Sequence, residues 1–170
     1  VWTTNDGTIA AGHNTLTPTV TTAGAYNLVV TNESNGCTSS VVAAVTSDLS
    51  PPAVTIAQPG IITCSQSELS LSGAGSSTGN EFKYQWGTVN GQIVSGGNTL
   101  QPTINKAGNY TLIVTNTTNS CTSSASVAVA ADITPPAANA GQPQTLDCQL
   151  TSLALDGSGS STGANFTYLW

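Results

Sequence analysis

An all-β chain of repeated antiparallel sandwiches is what this sequence predicts, on three observations. The chain repeats with a fixed period: Trp2, Trp86 and Trp170 stand 84 residues apart, as do Cys37 and Cys121, Cys64 and Cys148, and Tyr26 and Tyr110. At this offset about half of the positions are identical, with no insertion or deletion, which marks one folded unit reused in an array. Short stretches alternate apolar and polar residues, with turn residues between them roughly every ten positions. No segment sustains an apolar period near 3.6 residues, so no helix is expected.

The complete unit runs from Pro51 to Thr134, and its strands are predicted in order. They are Val54–Ala57, Leu69–Ser72, Phe82–Trp86, Gln92–Val94, Thr99–Ile104, Tyr110–Thr115 and Ser126–Ala130. Alternation sends every second side chain inward, placing Phe82, Tyr84 and Trp86 on one face, Tyr110, Leu112 and Val114 on another, and Val127 with Val129. Turn signals separate them: Gln58-Pro59-Gly60, Gly73-Ala74-Gly75-Ser76-Ser77, Asn90-Gly91, Gly96-Gly97-Asn98 and Asn116–Ser120. Seven short strands in one unit of this size predict an antiparallel sandwich of immunoglobulin-like type.

Two local features carry that expectation further. Ala107-Gly108-Asn109-Tyr110-Thr111-Leu112, with Ala23–Leu28 one unit earlier, looks like the tyrosine corner that opens strand F of immunoglobulin-type domains, where the phenol ties the preceding loop to its backbone. Trp86, at the end of a Phe-x-Tyr-x-Trp run, matches the buried tryptophan of strand C. Leu112 stands where an antibody domain carries its strand-F cysteine, and Leu28 is its counterpart. Apolar packing is expected in place of that disulfide. Trp2, Trp86, Tyr26, Tyr110, Leu28 and Leu112 are therefore the expected structural core.

A more specific resemblance rests on Pro135-Pro136-Ala137-Ala138-Asn139-Ala140-Gly141, Leu155-Asp156-Gly157-Ser158-Gly159-Ser160-Ser161 and Phe166-Thr167-Tyr168-Leu169-Trp170. These are similar to the first half of PKD-type Ig-like domains. Ala23-Gly24-Ala25-Tyr26, Val30-Thr31-Asn32 and Asn35-Gly36-Cys37-Thr38-Ser39-Ser40 resemble the second half. The chain resembles the tandem PKD/Ig-like repeats of giant Bacteroidota cell-surface adhesins, of the gliding-motility type exported by the type IX system. The resemblance implies a fold more than an activity. One departure is the turn after strand C, where the acidic Trp-Asp-Phe-Gly-Asp run of many PKD domains is replaced by Trp86-Gly87-Thr88-Val89-Asn90-Gly91.

The junctions are Asp48-Leu49-Ser50-Pro51-Pro52 and Asp132-Ile133-Thr134-Pro135-Pro136. A Pro-Pro pair favours extended geometry and limits hinge freedom, so neighbouring units should form a semi-rigid line. The expected domains are a partial repeat at 1–50 (strands C to G), a complete one at 51–134, and a partial one at 135–170 (strands A to C). Each partial repeat leaves sheet edges open. Either a longer chain continues the array, or the tail of one chain completes the head of the next; the tryptophan duplicated at Trp2 and Trp170 favours the former.

Cys37, Cys64, Cys121 and Cys148 are disulfide candidates. Pairing Cys64 with Cys121 would close a loop of roughly 57 residues and stabilise by about 4 kcal/mol in the chain-entropy picture. In an immunoglobulin-like topology, however, the two turns lie at opposite ends, about 20 Å apart, against a Cα separation of about 7 Å that a disulfide tolerates. A bridge between adjacent domains or chains, and free thiols, stay open beside it. Oxidised, structural cysteine would imply an extracellular setting. No Cys-x-x-Cys pair and no second histidine exists for zinc.

Charged residues are only 6% of the chain, with eight acids, Lys83 and Lys106 as the sole bases, and a net charge of −6. Nucleic acid and anionic membrane are poor partners for such a surface, and no apolar run approaches a membrane span. His13 is alone, and the repeat replaces it with Gly97. No Gly-x-Ser-x-Gly elbow and no recurring carboxylate pair is present. Asp48 and Asp132 recur at the junctions, where calcium is one reading and a turn-capping role before proline the other; calcium wants more oxygen ligands than one aspartate supplies.

No cofactor and no enzymatic activity are expected. The expected function is that of structural stalk or filament repeats in a long extracellular, cell-surface protein supporting adhesion or motility. Its partners would be neighbouring repeats, identical chains in a fibre, and cell-surface glycans bound by regions outside this chain. The alternative is a spacer or carbohydrate-binding module of a secreted polysaccharide-degrading enzyme, which would need solvent-facing aromatics.

Overall fold

The computed structural model describes residues 1–169, and Trp170, the last of the periodic tryptophans, lies outside them. Among the described residues the chain is all-β, with no helix. Contacts group it into two units: Val1–Thr55 with Gly75–Tyr84 and Ile113–Ser124, and Ile56–Ala74 with Gln85–Leu112 and Ala125–Trp170.

In the first unit, β1 (Trp2–Thr4), β4 (Gly24–Thr31) and β5 (Thr38–Val45) form an antiparallel sheet in the order β1-β4-β5. Its register sets Trp2 opposite Leu28 and Tyr26 opposite Ala43. A second pair, β2 (Ile9–Ala11) and β3 (Thr19–Val20), is also antiparallel. The second unit holds β6 (Ile62–Thr63), β7 (Leu69–Ser70), β9 (Gln92–Ser95), β10 (Thr103–Lys106) and β13 (Ala131–Asp132). Here β10 pairs antiparallel with both β7 and β9, and β13 pairs parallel with β6. Three longer strands, β8 (Phe82–Val89), β11 (Gly108–Asn116) and β12 (Thr122–Val129), are ordered β12-β11-β8.

The 84-residue period is physical. β8, β11 and β12 repeat β1, β4 and β5 in position and in sheet order, and the hydrogen bonds between side chain and backbone repeat with them. Trp2 Nε1 donates to Thr15 O at 3.0 Å, and Trp86 Nε1 to Thr99 O at 2.9 Å. Ser76 Oγ accepts the Thr55 amide and donates to Thr55 O; Ser160 Oγ does the same for Asn139. Tyr84 and Tyr168 donate to the carbonyls of Ser77 and Ser161. Half-identical sequences make the same bonds because the identical half includes the residues that make them.

The expected alternation is present. Phe82, Tyr84 and Trp86 turn inward while Lys83 and Gln85 are exposed, and Tyr110, Leu112 and Val114 are all buried. Among the described residues, the buried apolar side chains other than Tyr26 and Pro52 lie between Ile62 and Val129. Two expectations need correction. Val54–Ala57 is not a strand: Ser76 and Ser77 side chains take the amides of Thr55 and Ala53, so hydroxyls replace part of a backbone ladder. The strand expected at Thr99–Ile104 starts only at Thr103, because Thr99 closes a turn, its amide and hydroxyl both donating to Gly96 O.

Candidate functional site

Glycine and tyrosine build the best-defined polar constellation, twice. Tyr26 Oη donates to Thr22 O at 2.6 Å and accepts the Thr8 amide at 3.1 Å. Tyr110 Oη bonds Lys106 O and Gln92 O and accepts the Gln92 amide at 2.9 Å. The bond to the carbonyl four residues back is the tether expected of a tyrosine corner. The bond across to the hairpin at Thr8 or Gln92 was not legible in advance. It requires a glycine beneath the ring: a side chain at Gly7 or Gly91 would collide with the phenol of Tyr26 or Tyr110. The recurrence of Gly7 and Gly91 one period apart was the available signal.

The segment Asp48–Pro52 carries the second constellation. Asp48 Oδ1 accepts the Ser50 amide at 3.1 Å, closing a turn that delivers the chain to Pro51-Pro52. Asn119, from the turn between β11 and β12, donates its side-chain amide to Ser50 O at 3.1 Å, across 69 residues of sequence. The Ser50 amide, followed by the Asn119 side chain and the Ser50 hydroxyl, holds the Asp48 carboxyl below the usual carboxylate range. Asn119 is itself fixed, since its Oδ1 accepts the Cys121 amide at 2.9 Å. Past the proline pair, Ala53 donates to Ser77 Oγ and accepts from the Ser77 amide, and Pro52 is buried. The segment is thus clasped on both sides of its prolines. At Asp132 the same turn bond, from the Thr134 amide, is 3.5 Å long.

These contacts give Asp48 and Asp132 the turn-capping role. Among the described residues no group of three or more His, Cys, Asp or Glu side chains stands together where a metal ion could be held. Cys37, Cys64, Cys121 and Cys148 are four free thiols, and the pairing of Cys64 with Cys121 is not formed. Cys121 immediately precedes β12, whereas Cys64 follows β6, whose partner β13 comes after the last residue of β12. His13 is solvated, and its contribution to the fold is its backbone carbonyl, which accepts the Trp2 amide at 2.7 Å. Trp86, Tyr26, Tyr110 and Leu112 are interior as expected, while Trp2 and Leu28 are only half-buried. Two further aspartates cap turns: Asp147 accepts the amides of Leu150 and Gln149, and Asp156 bonds Ser158, each carboxyl being held below its usual range by those donors.

What the constellations do chemically is tie backbone to backbone. No family model matches the chain, and no curated protein matches it.

Proposed function

We propose that this chain is a stretch of stalk or filament repeats from a long extracellular bacterial surface protein that supports adhesion or motility. In this reading residues 1–50, 51–134 and 135–170 are successive immunoglobulin-like repeats of PKD type, the function is mechanical, and the chain is not an enzyme. Its partners are its neighbouring repeats, identical chains bundled with it, and glycans reached by regions outside these residues. The observation that carries the reading is the junction clasp. Asp48, Ser50 and Asn119 fix the segment leading into Pro51-Pro52, and two prolines already restrict it. A linker so held transmits orientation and tension from one repeat to the next, which a stalk requires.

The surface supports the same reading. With charge at 6% of residues, identical chains can pack side by side with little repulsion. The alternative, a carbohydrate-binding or spacer module of a secreted enzyme, wants an aromatic platform facing solvent. Trp86 is instead interior, its Nε1 bonded to Thr99 O.

Electron microscopy of the native material in which this sequence occurs tests the proposal. The expected image is a continuous filament with axial beading of about 40 Å, one sandwich per bead. Compact particles with a short two- or three-bead arm would overturn it.

A further inference from the structure

Asparagine precedes glycine twice in the chain, at Asn35-Gly36 and at Asn90-Gly91, and the two pairs are held differently. At the first, the Gly36 amide donates to Asn32 O at 2.8 Å, and Asn35 Oδ1 accepts the Cys37 amide at 3.0 Å. The second joins β8 to β9, and there Asn90 is exposed and takes a left-handed φ of 65°. Among the described residues, neither the Asn90 carboxamide nor the Gly91 amide is hydrogen-bonded.

One period earlier the same position carries an acid. Asp6 stands where Asn90 stands, and Gly7 where Gly91 stands. Asp6 Oδ1 accepts the Ala25 amide at 2.9 Å and lies 3.2 Å from the Thr4 hydroxyl, and the Gly7 amide donates to Thr4 Oγ1 at 2.9 Å. With those bonds made, Asp6 does not take the left-handed φ of Asn90. The counterparts of Ala25 and Thr4 are Asn109 and Thr88. Thr88 Oγ1 donates to Asn109 O at 2.9 Å, as Thr4 Oγ1 does to Ala25 O. The groups that receive a carboxylate are therefore in place at Asn90, where an amide stands.

We propose that Asn90-Gly91 is a modification site, at which the side-chain amide is lost to water and the acid found at Asp6 is produced. The Gly91 backbone nitrogen gives its proton to water or a buffer base and attacks Asn90 Cγ. The N–Cγ bond forms, the Cγ–Nδ2 bond breaks, and the side-chain nitrogen leaves as ammonia. Water then opens the cyclic imide. Opening at Cγ gives aspartate, and opening at the backbone carbonyl gives isoaspartate, which routes the chain through Cβ and Cγ. Glycine favours the first step because no Cβ shields its nitrogen. At Asn35 the same step must break the bond from Gly36 to Asn32 and release Asn35 from Cys37.

The two products fall differently on the fold. Aspartate keeps the backbone and gains the Asn109 amide and the Thr88 hydroxyl as donors. Isoaspartate lengthens the backbone where there is least room for it. A Cβ on Gly91 would collide with the Tyr110 phenol, and one on Gly108 with the backbone of Asn90 and Gly91. Isoaspartate should therefore pull the Gln92 amide from Tyr110 Oη. The proposal concerns this hairpin alone and stands whether or not the stalk reading does.

Trypsin cuts this chain only after Lys83 and Lys106, so Tyr84–Lys106 carries Asn90 and Val1–Lys83 carries Asn35. The folded 170-residue chain is incubated at neutral and at mildly alkaline pH, digested, and sequenced by mass spectrometry. An amide-to-acid mass gain at Asn90 is expected, growing with time and faster at the higher pH. Conversion at Asn35 should be slower by about tenfold or more, since two hydrogen bonds must break there. In denaturant the two sites should convert alike. Asn90→Gln, whose larger ring closes slowly, should abolish the gain in Tyr84–Lys106. Asn90→Asp should keep exchange protection at Gln92, and the isoaspartate fraction of the aged parent should lose it. No gain at Asn90 would overturn the proposal. So would equally fast conversion at Asn35 in the folded chain, or a gain in Tyr84–Lys106 that survives Asn90→Gln.

Discussion

Tyr26-Asn27-Leu28-Val29-Val30 and Tyr110-Thr111-Leu112-Ile113-Val114 are the same strand in two settings. Both tyrosines are buried and both make the same bonds. The residues that follow part company: Leu112 and Val114 are fully buried, whereas Leu28 is half-buried and Val30 exposed. The tyrosine finds everything it needs within about twenty residues, namely a glycine floor, a hairpin amide and the carbonyl four back. The leucine needs cover from outside its own strand and hairpin, and Leu112 has it at Gly73, where an added Cβ would meet its Cδ2. Polar closure is the same in both settings, and apolar burial is not.

The largest contrast is expected at the leucines. Leu112→Ala removes a fully buried side chain and should cost about 3 kcal/mol, whereas Leu28→Ala, half-exposed already, should cost about 1 kcal/mol. Amide hydrogen exchange of β11 and β4, read separately in each variant, measures the two losses. Equal losses would mean that Leu28 is as well covered as Leu112.

At the tyrosines the contrast should vanish. Tyr110→Phe strands the Gln92 amide and the Lys106 carbonyl in a partly buried setting, and Tyr26→Phe does the same to Thr8 and Thr22. An unsatisfied buried group costs about 1–3 kcal/mol, so each variant should lose about 2 kcal/mol, read as lost exchange protection around Thr8 and around Gln92. A loss at Tyr110 alone would show that Tyr26 does not hold its hairpin as Tyr110 does.

Which features the sequence made legible follows the same division. The inward faces of Phe82, Tyr84 and Trp86, and of Tyr110, Leu112 and Val114, were readable because alternation is a local property. So was the tether from Tyr110 to Lys106. The parallel ladder of Ile62–Thr63 with Ala131–Asp132 was not, since two residues carry no period and their partners are almost seventy positions away. Val54–Ala57 alternates like a strand, yet Ser76 and Ser77 bond it with side chains. The clasp of Asn119 on Ser50 was hidden inside a turn whose composition predicts only a turn. Its one trace was the recurrence of asparagine at Asn35 and Asn119.

The smallest expected effect separates backbone strain from burial altogether. Gly36 and Ser120 occupy the same repeat position, just before the cysteine, with φ of 72° and 62°. Glycine adopts this left-handed conformation freely, whereas a residue with a Cβ is strained there by about 1–2 kcal/mol. Ser120→Gly should relieve that strain, less the roughly 0.4–1 kcal/mol by which glycine's freedom favours the unfolded chain. The net gain should be about 0.5 kcal/mol, seen as a higher denaturation midpoint at unchanged slope. Gly36→Ser should lose a similar amount, because a Cβ added there meets nothing within 4 Å and only the backbone term changes. Opposite signs of similar size would show that this turn is governed by its own dihedral angles in both settings. A Ser120→Gly change that destabilises would instead assign the serine hydroxyl a bond that outweighs the strain.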